Sequence, residues 1–135
     1  MTILIDSNVP MYVAGGEHPN REPSRRFLER VRRGEWKGCT STEVLQKILY
    51  RYSALGRREV AREVYDLFVE ICPVVFGVTL ADTDRARDLL LAVTAISARD
   101  AVHAAVMLNH GVEWIASFDR GFDEVPGVRR REPGG

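Results

Sequence analysis

Long hydrophobic runs are absent from this 135-residue sequence. Charged side chains interrupt every apolar stretch well short of the ~20 residues a membrane helix requires, so no membrane role is expected. Cysteine is scarce: Cys39 and Cys72 stand far apart in apolar segments, with no His or Cys at metal-ligand spacing. That excludes a disulfide framework and a thiolate metal site, and it fits reduced core thiols in a cytoplasmic protein. Charge of one sign is not in excess either, with 19 basic residues against 19 acidic, so bulk electrostatics selects no partner. Met1 leads straight into an apolar run, without the basic stretch and cleavage site of a signal peptide. A Gly-rich phosphate loop and a Ser-His-Asp arrangement are both missing, which leaves nothing to support the enzyme classes that need them. With no repeat, linker or low-complexity tract, residues 1–135 are expected to form one domain, frayed only over the tail Glu132-Pro133-Gly134-Gly135.

What the sequence does contain is an alternation of short apolar segments with longer helical patterns. Strands are expected over 2–5, 37–40, 73–78, 113–117 and 128–130, and helices over 7–13, 24–33, 41–54, 57–71, 80–93 and 98–109. Gly15-Gly16 and Pro19 to Pro23 mark a loop, and Asn109-His110-Gly111 gives the last helix a left-handed glycine stop. Such alternation predicts an α/β fold with a parallel sheet of four to five strands and helices on both faces. Ligands of such sheets bind beyond the C-terminal ends of the strands, where strand order reverses.

Acids collect at that edge. The apolar strand Ile3-Leu4-Ile5 stops on Asp6, Glu43 follows the second strand, Asp100 opens the last long helix, and Asp119 and Asp123 follow Trp114-Ile115-Ala116-Ser117. Singly, each has a structural explanation. Thr40-Ser41-Thr42-Glu43, Thr79-Leu80-Ala81-Asp82 and Ser97-Ala98-Arg99-Asp100 read as capping boxes or near-matches, Asp6 can cap the short helix after it, and Asp119 and Asp123 flank the turn Arg120-Gly121. Convergence tips the balance. The N-termini of all helices that follow strands lie at one sheet edge, and three or four carboxylates gathered there repel one another unless protonated or neutralised by a cation. An oxygen-only donor set suits Mg²⁺ or Mn²⁺, and such ions support phosphodiester hydrolysis.

The remaining polar residues carry alternatives. Arginine clusters at Arg25, Arg26, Arg30, Arg32 and Arg33, at Arg57, Arg58 and Arg62, and at Arg129, Arg130 and Arg131 read singly as solvated faces; as a rim to an acidic pocket they point to nucleic acid. His103, three residues after Asp100 on the same helical face, reads as a packed structural histidine before it reads as a partner for a carboxylate or substrate. Asn8 and Ser117, beside their strand ends, read either as holders of a water at the metal site or as ordinary turn and cap donors. An apolar stripe of Leu45, Ile48, Leu49 and Tyr52, followed by Val60, Val64 and Leu67, exceeds what one side of a small sheet covers, so a homodimer is expected.

The stretches "ILIDSNV", "SARDAVHAAVM" and "WIASFDRGFDEVPGV", in this order and spacing, resemble the PIN-domain family, and within it the VapC-type toxins of toxin–antitoxin systems. The resemblance covers nearly the whole chain. It implies a three-layer α/β/α fold, Mg²⁺- or Mn²⁺-dependent endoribonuclease activity on RNA, frequent dimerisation and inhibition by a small antitoxin encoded alongside. Asp6, Asp100 and Asp119 match the family's first, third and fourth acids, as metal ligands, and Asp123 its accessory acid. The second acid departs from the pattern, because the position expected for it in "TSTEVLQKILYRY" holds Lys47. Either Glu43, one turn earlier on the same face, serves instead, or the site has exchanged a ligand for a cation and the protein binds RNA or antitoxin while cutting poorly. A haloacid-dehalogenase-like phosphatase also ends its first strand on aspartate, but wants a second one where this chain has Asn8. A receiver domain wants an acid adjoining Asp6 and finds none.

Overall fold

In the computed structural model, which describes residues 1–134, strand β1 (Thr2–Ile5) lies at the centre of a five-stranded sheet. Ile3, Leu4 and Ile5 are all fully buried, because both faces of the strand are covered. After β1 come α1 (Asn8–Ala14), α2 (Arg21–Arg32), β2 (Lys37–Ser41), α3 (Thr42–Ala54), α4 (Arg58–Ile71), β3 (Val74–Phe76), α5 (Leu80–Ala92), α6 (Ala98–Asn109) and β4 (Trp114–Ala116). A short 3-10 helix (Arg120–Glu124) and β5 (Arg129–Arg131) complete the order. The strands run parallel in the order β3-β2-β1-β4-β5. The chain steps outward from β1 to β2 and β3, then returns to the other side of β1. Strand order therefore reverses between β1 and β4, the place where open α/β sheets bind ligands.

Alternation along β1 divides the core into two layers. Ile3 and Ile5 pack with Phe27 of α2, Val44 and Ile48 of α3 and Phe68 of α4. Leu4 faces the opposite side, with Ile115, Phe122 and the α6 residues Ala101, Ala104, Ala105 and Met107. The small alanines let α6 lie close on the sheet. Each fully buried large apolar side chain contributes about 1.5–3 kcal/mol, so the two layers hold the sheet edge that carries the acids. Helix α6 ends as its glycine predicts: Gly111 has φ +69°, and Val112 N donates to Met107 O at 2.9 Å. The sheet with helices on both faces is the expected α/β/α architecture.

Several local expectations change. Helix α2 begins at Arg21 rather than Ser24, because Pro23 falls in the first turn, where a missing N–H breaks no helical bond. The capping box at Thr40 is out of register. Ser41 is the N-cap, accepting from Val44 N at 3.4 Å, while Thr40 Oγ1 donates to Ile5 O at 3.3 Å. At the tail, where fraying is expected, Pro133 is buried and Gly134 runs tightly against Pro23; Gly135 lies outside the described residues. The apolar stripes close the core only in part. Leu45, Ile48, Tyr52 and Val64 are buried between α3, α4 and the sheet, while Leu49 and Leu67 stay exposed. Cys39 and Cys72 are free and buried, and burial pushes the Cys39 thiol up to about 11 and Cys72 higher. Among the described residues no helix is long and apolar enough to cross a membrane.

Candidate active site

The edge of β1 delivers Asp6. Its backbone N continues the sheet ladder to Ala116 O, so the carboxylate is fixed where β1 and β4 part. Asp6 is 2 % exposed. Oδ1 accepts from Ser7 N at 2.7 Å, and Oδ2 accepts from Ser117 Oγ at 2.7 Å. Helix α1 has no side-chain cap, so capping is not what holds Asp6 there.

Ser117, just past β4, ties the edge together. Its hydroxyl donates to Asp6 and accepts from Asn8 Nδ2 at 3.2 Å and Asp119 N at 3.0 Å. One donor and two acceptor sites are all a hydroxyl has, so Ser117 is saturated by protein partners. Of the two readings of Ser117, the turn-and-strand donor is the one its contacts fill. Asn8 differs, because its Oδ1 is buried without a partner. Beyond Ser117, Asp119 caps the 3-10 helix by accepting from Gly121 N at 2.9 Å. Gly121 is required there: a Cβ would lie 2.8 Å from the Ala95 carbonyl oxygen.

Helix α6 supplies the facing wall. Asp100 N donates to Ser97 Oγ at 3.2 Å, half of the expected capping box, but the Asp100 carboxyl turns away from the cap and hydrogen-bonds Asp119. Burial first, then the Asp119 hydrogen bond and the charges of Asp6 and Asp119, push Asp100 up to about 8, against a smaller opposing effect of Lys47. Asp119 moves the other way, held below the usual carboxylate range chiefly by the hydrogen bond from Asp100. Opposite directions of this kind are what two crowded carboxyls show. His103, one turn along α6 and fully buried, brings Nε2 to 3.8 Å from Asp6 Oδ1. Asp6, Asp100 and His103 each offer a donor atom within 4.8 Å of the others. Two buried carboxyls, Asp6 and Asp100, beside a buried imidazole without a hydrogen-bond partner among the described residues, fit a divalent cation by their donor set.

A family model described as the PIN domain matches residues 3–128. The chain belongs to the PIN-domain family. The ribonuclease VapC13 of Mycobacterium tuberculosis is 43% identical over 128 residues, covering 95% of this chain and 98% of that protein, so the likeness extends to the VapC-type members. Two solved structures share the fold at low identity. M. tuberculosis VapC20, described as a sarcin-ricin loop cleaving toxin, has a TM-score of 0.71, 18% identity and coverage of 87% and 90%. A toxin–antitoxin complex from Klebsiella pneumoniae has a TM-score of 0.68, 16% identity and coverage of 94% and 95%.

In this PIN-domain chain, Asp6, Asp100 and Asp119 meet at one sheet edge. Glu43 and Asp123 are each engaged by an arginine, and His103 still feels the charge of Glu43. Glu43 is held by Arg99 Nε at 3.1 Å, a pair only partly exposed. Asp123 takes a bidentate bond from Arg130, Nε to Oδ1 at 3.0 Å and Nη2 to Oδ2 at 3.2 Å. Arg130 also donates to Ser117 O at 3.1 Å, so Asp123 braces the loop after β4 from outside. Among the described residues Lys47 has no ion-pair partner within 4.0 Å, yet its charge is felt by Asp100, His103 and Asp119. It lines a concavity of about 260 Å³ with Asn8, Met11, Tyr12 and Arg51. Of the arginine clusters, the third reaches the acids: Arg130 helps to lower Asp119. Arg25, Arg33 and Arg62 pair with glutamates on their own helices, and Arg32 lies at the far end of the sheet beside Met1 and Lys37. Helical salt bridging at three- and four-residue spacing accounts for Arg25, Arg33 and Arg62, and the cations whose charge the site feels include Lys47, Arg99 and Arg130. The sequence signal for His103 was its spacing from Asp100; its missing partners are visible only in three dimensions.

Proposed function

We propose that this protein is a Mg²⁺- or Mn²⁺-dependent endoribonuclease and the toxin of a toxin–antitoxin pair. The observation that carries the reading is the meeting of Asp6, Asp100 and Asp119 at the β1/β4 switch point, in a chain 43% identical to a VapC ribonuclease. Asp6, Asp100 and Asp119 would hold the cation, which would take the place of the proton between Asp100 and Asp119. A divalent ion there would activate water and neutralise charge on the attacked phosphodiester. Ser117 fixes the Asp6 rotamer, and Ser97 and Gly121 set the backbone at Asp100 and Asp119. Lys47 and Arg51, in the adjoining concavity, are placed to attract the RNA backbone.

Cleavage of RNA should require divalent metal and vanish in Asp6→Asn, which keeps the shape of the side chain and removes its charge. Undiminished cleavage in chelator, or in a folded Asp6→Asn protein, would overturn the assignment. Toxin status predicts that expression arrests growth and that co-expression of a small neighbouring gene relieves it. Association into a homodimer belongs to the same reading and is checked by light scattering.

A second reading has its own observation. Arg99 engages Glu43, and Lys47 stands where the family pattern wants an acid, so the site has fewer free carboxylates than the pattern requires. On this reading the protein binds RNA or antitoxin and cuts slowly. Lys47→Glu should then raise metal affinity and cleavage, with Glu43→Gln nearly silent. Loss of both in Glu43→Gln, with Lys47→Glu silent, identifies Glu43 as the second acid.

A further inference from the structure

We propose that His103 is a nitrogen ligand of the same cation, giving a site of mixed carboxylate and imidazole donors that favours Mn²⁺ over Mg²⁺. The inference rests on the metal-site reading above and extends it to the identity of the ion. His103 is fully buried, and neither ring nitrogen has a hydrogen-bond partner among the described residues. A histidine buried for packing alone normally satisfies at least one nitrogen, since an unpaired polar group inside a protein is costly. The nearest carboxylate oxygen, Asp6 Oδ1 at 3.8 Å, is too distant for a hydrogen bond. It is not too distant for a shared ion. Two donors each ~2.1 Å from one cation lie about 3.0 Å apart at a right angle and about 4.2 Å apart when opposed. The 3.8 Å separation falls inside that span.

The third donor comes from the same helix. Asp100 and His103 sit three residues apart on α6, so their side chains emerge on one face and reach toward Asp6 together. Ser7 N and Ser117 Oγ hold the two Asp6 oxygens, which fixes this carboxylate against both partners. Imidazole nitrogen is a softer donor than carboxylate oxygen. It adds affinity for a transition-metal ion and little for Mg²⁺, which keeps oxygen ligands and water. The preference is therefore written into the donor set.

The test uses the full chain and Mn²⁺ alone, read by pulsed electron paramagnetic resonance. The chain has three histidines, His18, His103 and His110. Bound Mn²⁺ should show ¹⁴N modulation that converts to the ¹⁵N pattern when histidine is ¹⁵N-labelled. That signal should persist in His18→Gln and His110→Gln and disappear in His103→Leu. Titration should show His103→Leu weakening Mn²⁺ binding at least about tenfold and Mg²⁺ binding much less. Bound Mn²⁺ without nitrogen modulation overturns the proposal and leaves the carboxylate site standing. No Mn²⁺ binding by the natural chain overturns the metal-site reading itself. The isotope experiment needs no substitution, so a misfolded His103→Leu protein does not shelter the proposal.

Discussion

Asp82 and Asp100 occupy equivalent places in their helices and do opposite things. Each is the third residue after a hydroxyl N-cap, Thr79 before α5 and Ser97 before α6, and each is nearly fully buried. Asp82 closes its capping box, accepting from Thr79 N at 2.9 Å, and takes a further bond from Asn109 Nδ2 at 2.8 Å. Burial pushes its pKa up, but these donors together hold it below the usual carboxylate range. Asp100 accepts nothing from its cap. It faces Asp6 and Asp119, and burial with two like charges lifts it to about 8. Burial is common to both, so burial does not separate a structural acid from a functional one. What separates them is whether donors or acceptors stand in front of the carboxyl.

The sharpest way to break this comparison is to neutralise both acids. Asp100→Asn should lower metal-dependent RNA cleavage at least about 100-fold while leaving the protein folded, because it removes a ligand and relieves repulsion. Asp82→Asn should leave cleavage by the folded protein unchanged. Equal losses in the two variants would end the distinction. Gly121→Ala comes next. Its Cβ would press on the Ala95 carbonyl oxygen at 2.8 Å, costing about 1–3 kcal/mol and moving the Asp119 loop, so stability and cleavage should fall together.

The pH dependence sharpens the contrast from the stability side. Asp100 holds a proton in the folded state that an unfolded aspartate loses near its ordinary value, so its stabilisation is present at low pH and is lost as pH rises through about 8. Asp82 and Asp119, with lowered values, act only at the acid end, where their contribution falls away with falling pH. His103 is also depressed, chiefly by burial, and affects stability only below its unfolded value of about 6.5. Between about pH 6.5 and 8, urea midpoints of the metal-free protein should therefore fall, by at most about 1.4 kcal/mol per pH unit. The slope should flatten in Asp100→Asn and with saturating divalent metal. The smallest effect is Asp82→Ala, which should cost about 1–2 kcal/mol through its lost cap, measured in the same midpoints.

Much of the fold was legible because its signals are local. The run Ile3-Leu4-Ile5 marks a strand buried on both faces, Gly111 marks the end of α6, and even the three arginines at 129–131 lie in a strand where one was expected. The misread places are those where a distant partner decides. Thr40 was expected to cap α3, but bonds the Ile5 carbonyl across the sheet. Glu43 is paired by Arg99, 56 residues away, a bond that no local spacing announces. Ser117 and Asp6 are 111 residues apart, and no spacing rule connects a serine after one strand to an aspartate after another.

By itself the sequence determined which acids stand near strand ends and helix starts. Periodicity, capping and glycine turns depend on groups within about four residues, and those are read directly from the chain. Only the tertiary structure decided what each acid meets there. It set Asp100 against Asp6 and Asp119, gave Asp82 to Thr79 and Asn109, turned Asp123 to Arg130 and left His103 without a hydrogen-bond partner among the described residues. The reason is that a carboxyl's protonation and ligand power follow the charges and donors within a few ångströms in space, whatever their separation along the chain.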